Sequence, residues 1–598
     1  MKPKFRPLTS ARCLPLFSLA LLSGARAEFW NATTPNPANW QTATNWTPNT
    51  IPNAVNASAI LSNDITAGTL AINLNAAVTL GNLTLGDSVA GTNGFFTVQN
   101  GTAGSLTFDV TAGNATLQKT TASASADTVA ATTILNDTLA ADVRTGTITM
   151  TGLISGTGGL IRSGSVSGAV ATAGGTLGLT NHSNSYSGST SIEHGTLTAV
   201  LNGNVAASTN SVFGNSATAI AVGLATTASG SNGSSVLTLT AGSDAANYTI
   251  SRGMDFSQST TSTARAALNF NGNSAGASNT NTLTISGPLT FGVRTTQIAA
   301  GRGGMTLELT GAITTVGTPG ADSIRWNAFP PDPGATIVDG RGAGTIRFSN
   351  LARTYSNSQS LAMGTMVIDG VVGAVGTASP IGTQLIALGL GSGGNIVGSG
   401  NFSAGAAAVR DTSPDTVRAL YLESPGSSYA RVLAPGVGST STAGQTGANA
   451  LPASYGTTVN VINGYKIGGL NTTGTVTFSG AITPGDPTVG TSVTNVITQA
   501  VNLALIAQTG GTVAFTGGIG DTASAATHLR VTVNQFRNHA NLDGSNNSSG
   551  LVGADGLADA AANQLQGTAS AGTVILGTTA GTWNGTTEVL GGKLIVNS

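Results

Sequence analysis

Three stretches of this chain, residues 175–200, 344–369 and 572–597, align with one another without a gap. Each opens on Gly-Thr followed by an aliphatic residue, and the aromatics Tyr186, Tyr355 and Trp583 fall in one register. Nine residues after each aromatic comes a glycine: Gly195, Gly364 and Gly592. An apolar residue lies three before that glycine (Ile192, Leu361, Val589) and another two after it (Leu197, Met366, Leu594). Chance glycine matches are common in a chain with 83 glycines, but aromatics make up only 5% of it, so three in one register mark an internal repeat. A unit of this size cannot bury an apolar face alone. Stacked on neighbours, it can.

Short alternating runs recur along the rest of the chain. Thr147-Ile148-Thr149-Met150, Met305-Thr306-Leu307-Glu308-Leu309 and Thr475-Val476-Thr477-Phe478 alternate polar with apolar residues. Period two puts alternate side chains on opposite faces, so each run reads as a half-buried strand. Within the repeat, a strand ends at a two-residue turn (His194-Gly195, Met363-Gly364 or Gly591-Gly592) and a second strand follows. The glycines closing the runs, such as Gly152, Gly311 and Gly480, are expected to supply a positive φ that turns the chain. Helical signals are sparse; the best is 554–566, where Asp555 precedes an Ala-rich turn.

Only 8% of residues are charged, a proportion compatible with disorder, but 40% are hydrophobic and spread throughout. That combination predicts an all-β stack of thin coils, spaced about 4.8 Å apart. The net charge of −1 comes from scattered residues, which leaves no basic surface for nucleic acid.

Residues 1–27 read as a secretory signal peptide, with Lys2, Lys4, Arg6 and Arg12 before an apolar stretch at 14–22 and Ala25-Arg26-Ala27 at its end. The apolar stretch is shorter than the about 20 residues a membrane span needs. Cys13, the single cysteine, would leave with it, so the exported chain has no disulfide, thiolate metal site or cysteine nucleophile.

The segment Tyr186-Ser187-Gly188-Ser189-Thr190-Ser191-Ile192-Glu193-His194-Gly195-Thr196-Leu197 resembles the autotransporter-associated β-strand repeat of exported bacterial proteins, and the segment from Trp583 to Leu594 resembles it equally. The copy at Tyr355 departs from that pattern at Asn357 and Met366. The resemblance rests on about 80 residues. It implies a right-handed parallel β-helix (β-solenoid) with irregular loop insertions, secreted via Sec. Its place would be extracellular or at the outer-membrane surface of a Gram-negative-type bacterium, as an autotransporter passenger.

The expected division is a signal peptide at 1–27, a Trp/Asn-rich cap with first strands at 28–85, and solenoid repeats at 86–378. An irregular or inserted segment follows at 379–470, then further repeats at 471–598. Trp30, Trp40 and Trp46 read as the cap; the rival is carbohydrate contact by exposed tryptophans. An autotransporter ends in a translocator barrel of strands about 10 residues long. The sequence stops inside a repeat at Asn597-Ser598, which reads as a fragment.

Chemistry is hard to find. Gly272-Asn273-Ser274-Ala275-Gly276 matches a nucleophile elbow, but no helix follows it. The glycines from Gly389 to Gly394 match a dinucleotide loop and lack the helix that would hold pyrophosphate. His182, His194, His528 and His539 lack metal-ligand spacing and read as exposed turn residues. Asp411, Asp415 and Glu423 lie near Arg410 and Arg418, while Asp543, Asp555 and Asp559 form a second loose group; both read as solvated loops. No catalytic, cofactor-binding or metal residue is assigned. The expectation is a non-catalytic surface scaffold that contacts extracellular glycans or matrix. The alternatives are a carbohydrate-active β-helix enzyme, with carboxylates gathered on one face, and an inert spacer or surface-layer protein.

Overall fold

A computed structural model describes residues 27–34, 36–89, 94–119, 124–164, 175–223, 234–258, 265–272, 280–292, 296–301, 305–318, 324–327, 344–361, 364–388, 418–433, 464–482, 501–520, 529–537, 565–566, 569–579, 581, 583 and 587–597. Among them the fold is all β; the one helical element is a single 3-10 turn at Ala43–Asn45. The strands stack into long ladders of 12, 13, 4, 10 and 6 members.

The winding follows from the period-two runs. Asn82–Leu85, Gly94–Asn100 and Ser105–Phe108 lie in the twelve-, thirteen- and four-stranded sheets in turn. The next coil repeats the order with Ala115–Lys119, Ala126–Val129 and Thr133–Leu135. Each strand pairs in parallel with its predecessor one coil back, as in Leu117↔Leu83, Val129↔Val98 and Leu135↔Phe108. Alternate residues therefore point into one interior, and a continuous apolar core runs from Trp30 to Val574. This is a parallel β-solenoid.

Its faces change along the axis. The four-stranded sheet ends at Ile154–Gly156, and the ten-stranded sheet begins at Asn247–Ile250. From Arg418–Leu422 onward the coils run between the ten- and six-stranded sheets. The further side is then marked by the parallel bridges Leu433↔Ile482 and Ile482↔Ile519. Within 379–470, Ile386–Leu388, Arg418–Leu422 and Gly464–Gly469 continue the same parallel ladders.

The repeat behaves unexpectedly. In its first copy, Thr190–Ile192 and Gly195–Leu201 lie in the twelve- and thirteen-stranded sheets. In the second, Gln359–Leu361 and Thr365–Ile368 lie in the thirteen- and ten-stranded sheets. In the third, Thr587–Val589 and Lys593–Val596 lie in the ten- and six-stranded sheets. The motif thus advances by one sheet per copy. Its two strands do not pair with each other, so the turn is a solenoid corner and not a hairpin. Gly195, Gly364 and Gly592 occupy it with φ of 69°, 70° and 61°, where a side chain would be strained.

The glycines of the other corners do a different job. Gly152, Gly311 and Gly480 are not in the left-handed region, contrary to expectation. A Cβ on Gly311 would lie 2.2 Å from the carbonyl oxygen of Gly287, and one on Gly480 would lie 1.9 Å from that of Arg431. The preceding coil passes too close for any side chain. Close approach, not turn geometry, selects glycine there.

At the N-terminal end Trp30, Trp40 and Trp46 are packed together, with Trp46 at 4.9 Å from Trp30 and 4.6 Å from Trp40 between ring centroids. All three are buried. Trp46–Thr47 pairs antiparallel with Ala27–Trp30 and closes the edge of the twelve-stranded sheet. The three rings are buried members of the core, so sugar contact by exposed tryptophans does not apply. One ion pair is sealed inside: Lys119, in column with Leu85 and Val143, meets Asp127, which also accepts from the Phe96 amide at 2.8 Å. The sequence 554–564 lies outside the described residues, and Leu565–Gln566 is a short strand paired with Phe536–Arg537.

Candidate functional site

The corner aromatics are anchors. In each copy the ring's polar atom bonds the side chain four residues on: Tyr186 Oη to Thr190 Oγ1 at 2.8 Å, Tyr355 Oη to Gln359 Oε1 at 3.1 Å, Trp583 Nε1 to Thr587 Oγ1 at 3.1 Å. That position starts the strand after the aromatic, so the bond fixes the corner. Burial pushes the Tyr186 phenol up to about 12 and raises that of Tyr355 as well.

The first two copies share a second element that sequence reading missed. Ser211-Val212-Phe213-Gly214 and Ser379-Pro380-Ile381-Gly382 form the same turn: the serine hydroxyl donates to the glycine carbonyl at 2.8 and 2.5 Å. Gly214 and Gly382 have φ of 69° and 71°, and the following amides donate to the carbonyls of Tyr186 and Tyr355, both at 2.9 Å. The turn begins 25 residues after Tyr186 and 24 after Tyr355. That one-residue difference hides it from an ungapped alignment.

A buried arginine from a later coil holds each turn. Arg252 donates to the carbonyls of Thr218 at 2.7 Å and Phe213 at 2.8 Å. Arg431 donates to those of Gly373, Thr377, Gly382 and Gln384, with Gly382 at 2.8 Å. Burial lowers the pKa of both guanidiniums, while the neighbouring tyrosines oppose that fall. These cations are consumed by backbone carbonyls and are not available to a substrate.

His194 is buried at 2% exposure and neither ring nitrogen has a hydrogen-bond partner, which corrects the expectation of an exposed turn residue. The corner that carries it is overlaid by the next coil, through Gly195↔Ser235. His182 is half-buried, with Nε2 3.2 Å from the Asn204 carbonyl. Asp142, His194 and Ser235 gather near one corner, but they are not a hydrolytic triad. Ser235 Oγ donates to the Glu193 carbonyl at 2.6 Å and Asp142 accepts from Arg144 at 3.0 Å, so no hydrogen bond joins serine to histidine.

Glu423 is the one carboxylate of the sequence-level groups that is described. It takes a two-pronged bond from Arg347, at 2.7 Å to each oxygen. Arg347 also donates to Glu308 at 2.8 Å, and Thr284 donates to Glu308 at 2.9 Å. Both carboxylates are tied to one guanidinium, so neither is a free acid or base. His528, His539, Arg410, Asp411, Asp415, Asp543, Asp555, Asp559, Gly389–Gly394 and residues 273–276 lie outside the described residues, as does the side chain of Arg418. Among the described residues no three His, Cys, Asp or Glu side chains could hold a metal ion, and no helix is long and apolar enough to cross a membrane.

Part of the thirteen-stranded sheet presents hydroxyls outward. On the thirteen-stranded sheet one column runs Thr97, Thr128, Thr149, Gly178, Thr198, Thr238. A second runs Thr147, Thr176, Thr196. These threonines are half-exposed and no charged residue interrupts either column. Coils repeat about every 4.8 Å and alternate residues along a strand lie about 6.6 Å apart, so the hydroxyls form a flat lattice. No family model, curated protein or solved structure matches the chain.

Proposed function

We propose that this protein is an exported, non-catalytic cell-surface scaffold of the autotransporter-passenger kind, which contacts extracellular glycans or matrix through its threonine-rich faces. The observation that carries the reading is the uncharged threonine lattice from Thr97 to Thr238. β-Branched side chains are stiff at χ1, so the hydroxyls are held in place by a rigid sheet. Each hydrogen bond contributes about 0.5–1.5 kcal/mol net, and affinity comes from many acting together. The signal peptide at 1–27 supplies the route out of the cytoplasm, a point that N-terminal sequencing of the secreted chain tests directly.

Thr147→Lys, Thr149→Lys and Thr198→Lys combined should abolish binding on a glycan or matrix array without shifting the melting temperature, since these side chains lie outside the core. Unchanged binding would reject the lattice as the contact surface. Release of reducing sugar from any arrayed polysaccharide would replace the scaffold reading with an enzyme. Binding to nothing would leave an inert spacer.

A further inference from the structure

His194 is the one titratable side chain at the repeat's turn position; the other copies carry Met363 and Gly591 there. It is enclosed, and both ring nitrogens are unpartnered. From the strand Leu160–Ser163 it faces Arg162, fully buried, whose guanidinium donates to the carbonyls of Ala141 at 3.2 Å, Val143 at 2.6 Å, Gly175 at 2.7 Å and Thr196 at 3.3 Å. From Leu139–Val143 it faces Asp142, which leans on Arg144. Its own turn adds Glu193, and the coil above adds the uncharged Ser235.

A proton on this imidazole would therefore place a second cation beside Arg162, where neither ring nitrogen has an acceptor within hydrogen-bond reach and the one buried unpartnered carboxylate oxygen facing it is Asp142 Oδ1. Burial first, and Arg162 second, hold the imidazole below its ordinary pKa, against the weaker pull of Asp142. The sign follows. The open corner binds the proton better than the closed one, so closure is favoured above the ordinary histidine value and weakens as pH falls below it.

We propose that this corner is an acid-responsive opening point of the solenoid, where protonation of His194 releases residues 193–195 and the start of strand Gly195–Leu201 from the packed core. The device belongs to the first copy alone. Acidification opens one defined place on the rod and leaves the corresponding corner at Gly364 closed.

Hydrogen exchange on the full chain, followed from about pH 7 to about pH 5, tests this. After correction for intrinsic rates, exchange in 193–201 should rise by up to about tenfold per pH unit below about 6.5, while 364–368 stays flat. His194→Met, which installs the residue of the second copy, should flatten the response. His194→Gln, a neutral polar alternative should methionine not fold, should do the same. A flat or falling exchange in the unmodified chain would mean that Asp142 captures the imidazolium, and the proposal fails. An acid response that persists in either variant would assign the opening to Asp142 or Glu193 instead, which also overturns it.

Discussion

The first and second copies of the repeat build the same corner from different atoms. Tyr186 bonds Thr190, whose hydroxyl donates on to the Phe213 carbonyl at 3.3 Å; Tyr355 bonds Gln359, whose amide donates to the Ile381 carbonyl at 2.6 Å. A hydroxyl and a carboxamide relay the same connection from aromatic to Ser-x-x-Gly turn. The turn is then closed from another coil, by Arg252 in one copy and Arg431 in the other. Yet the copies occupy different pairs of sheets. The motif specifies a corner, and its three copies sit at three different corners of the solenoid.

The largest test of that equivalence is removal of the locks. Arg431→Met removes a donor from four carbonyls, three of them part-buried, at roughly 0.5–1.5 kcal/mol for each bond, so a urea melt should lose about 3 kcal/mol or more. Arg252→Met should cost less, because this arginine donates to two carbonyls and its Nη2 has no partner. Equal losses would show that hydrogen-bond number does not separate the copies.

Gly214→Ala and Gly382→Ala should each cost about 1–3 kcal/mol through a strained φ. An added Cβ would also lie 2.4 Å from the carbonyl oxygen of Tyr186 or Tyr355, so the two variants should melt alike. A mild effect at one site alone would break the structural match between the turns.

Alkaline pH probes the buried phenols. Their folded pKa values are raised, so their stabilising contribution is full below about 10 and is lost as pH rises toward about 12 for Tyr186. Stability should fall by up to roughly 1.4 kcal/mol per tyrosine for each pH unit in that window. Tyr186→Phe should remove one such share, read from denaturation midpoints across the range.

The smallest effect concerns the hydroxyls at neutral pH. Tyr186→Phe should cost about 1 kcal/mol, since Thr190 loses its donor. Tyr355→Phe should cost less, because Gln359 Oε1 still accepts from Trp326 Nε1 at 3.0 Å. The reverse order would discount the Trp326 bond.

Much of this was legible beforehand. Thr147–Met150, Thr306–Leu309 and Thr475–Phe478 are strands, as their alternation says, and the repeat glycines turn the chain with positive φ. The candidate chemistry was less so. His194 looked like a turn residue at the surface, and only the coil through Ser235 buries it. Glu423 looked like a member of a loop cluster, and its partner Arg347 lies 76 residues earlier. No spacing rule reaches that far.

What the sequence by itself determined is local: which residues are strands, which side of each faces inward, and where the chain must bend. Those depend on period two and on φ at single glycines, both written within a few residues. The tertiary structure decided which sheet each copy joins, why Gly311 and Gly480 tolerate no side chain, and which carbonyls Arg252 and Arg431 reach. These are contacts between coils, and coils differ in length. From the first copy to the second, the serine turn comes one residue closer to its aromatic, and the arginine lock lies 66 residues beyond Tyr186 but 76 beyond Tyr355. Parallel stacking aligns atoms in space whatever number of residues separates them, so the partners of a side chain become known only once the coils are wound.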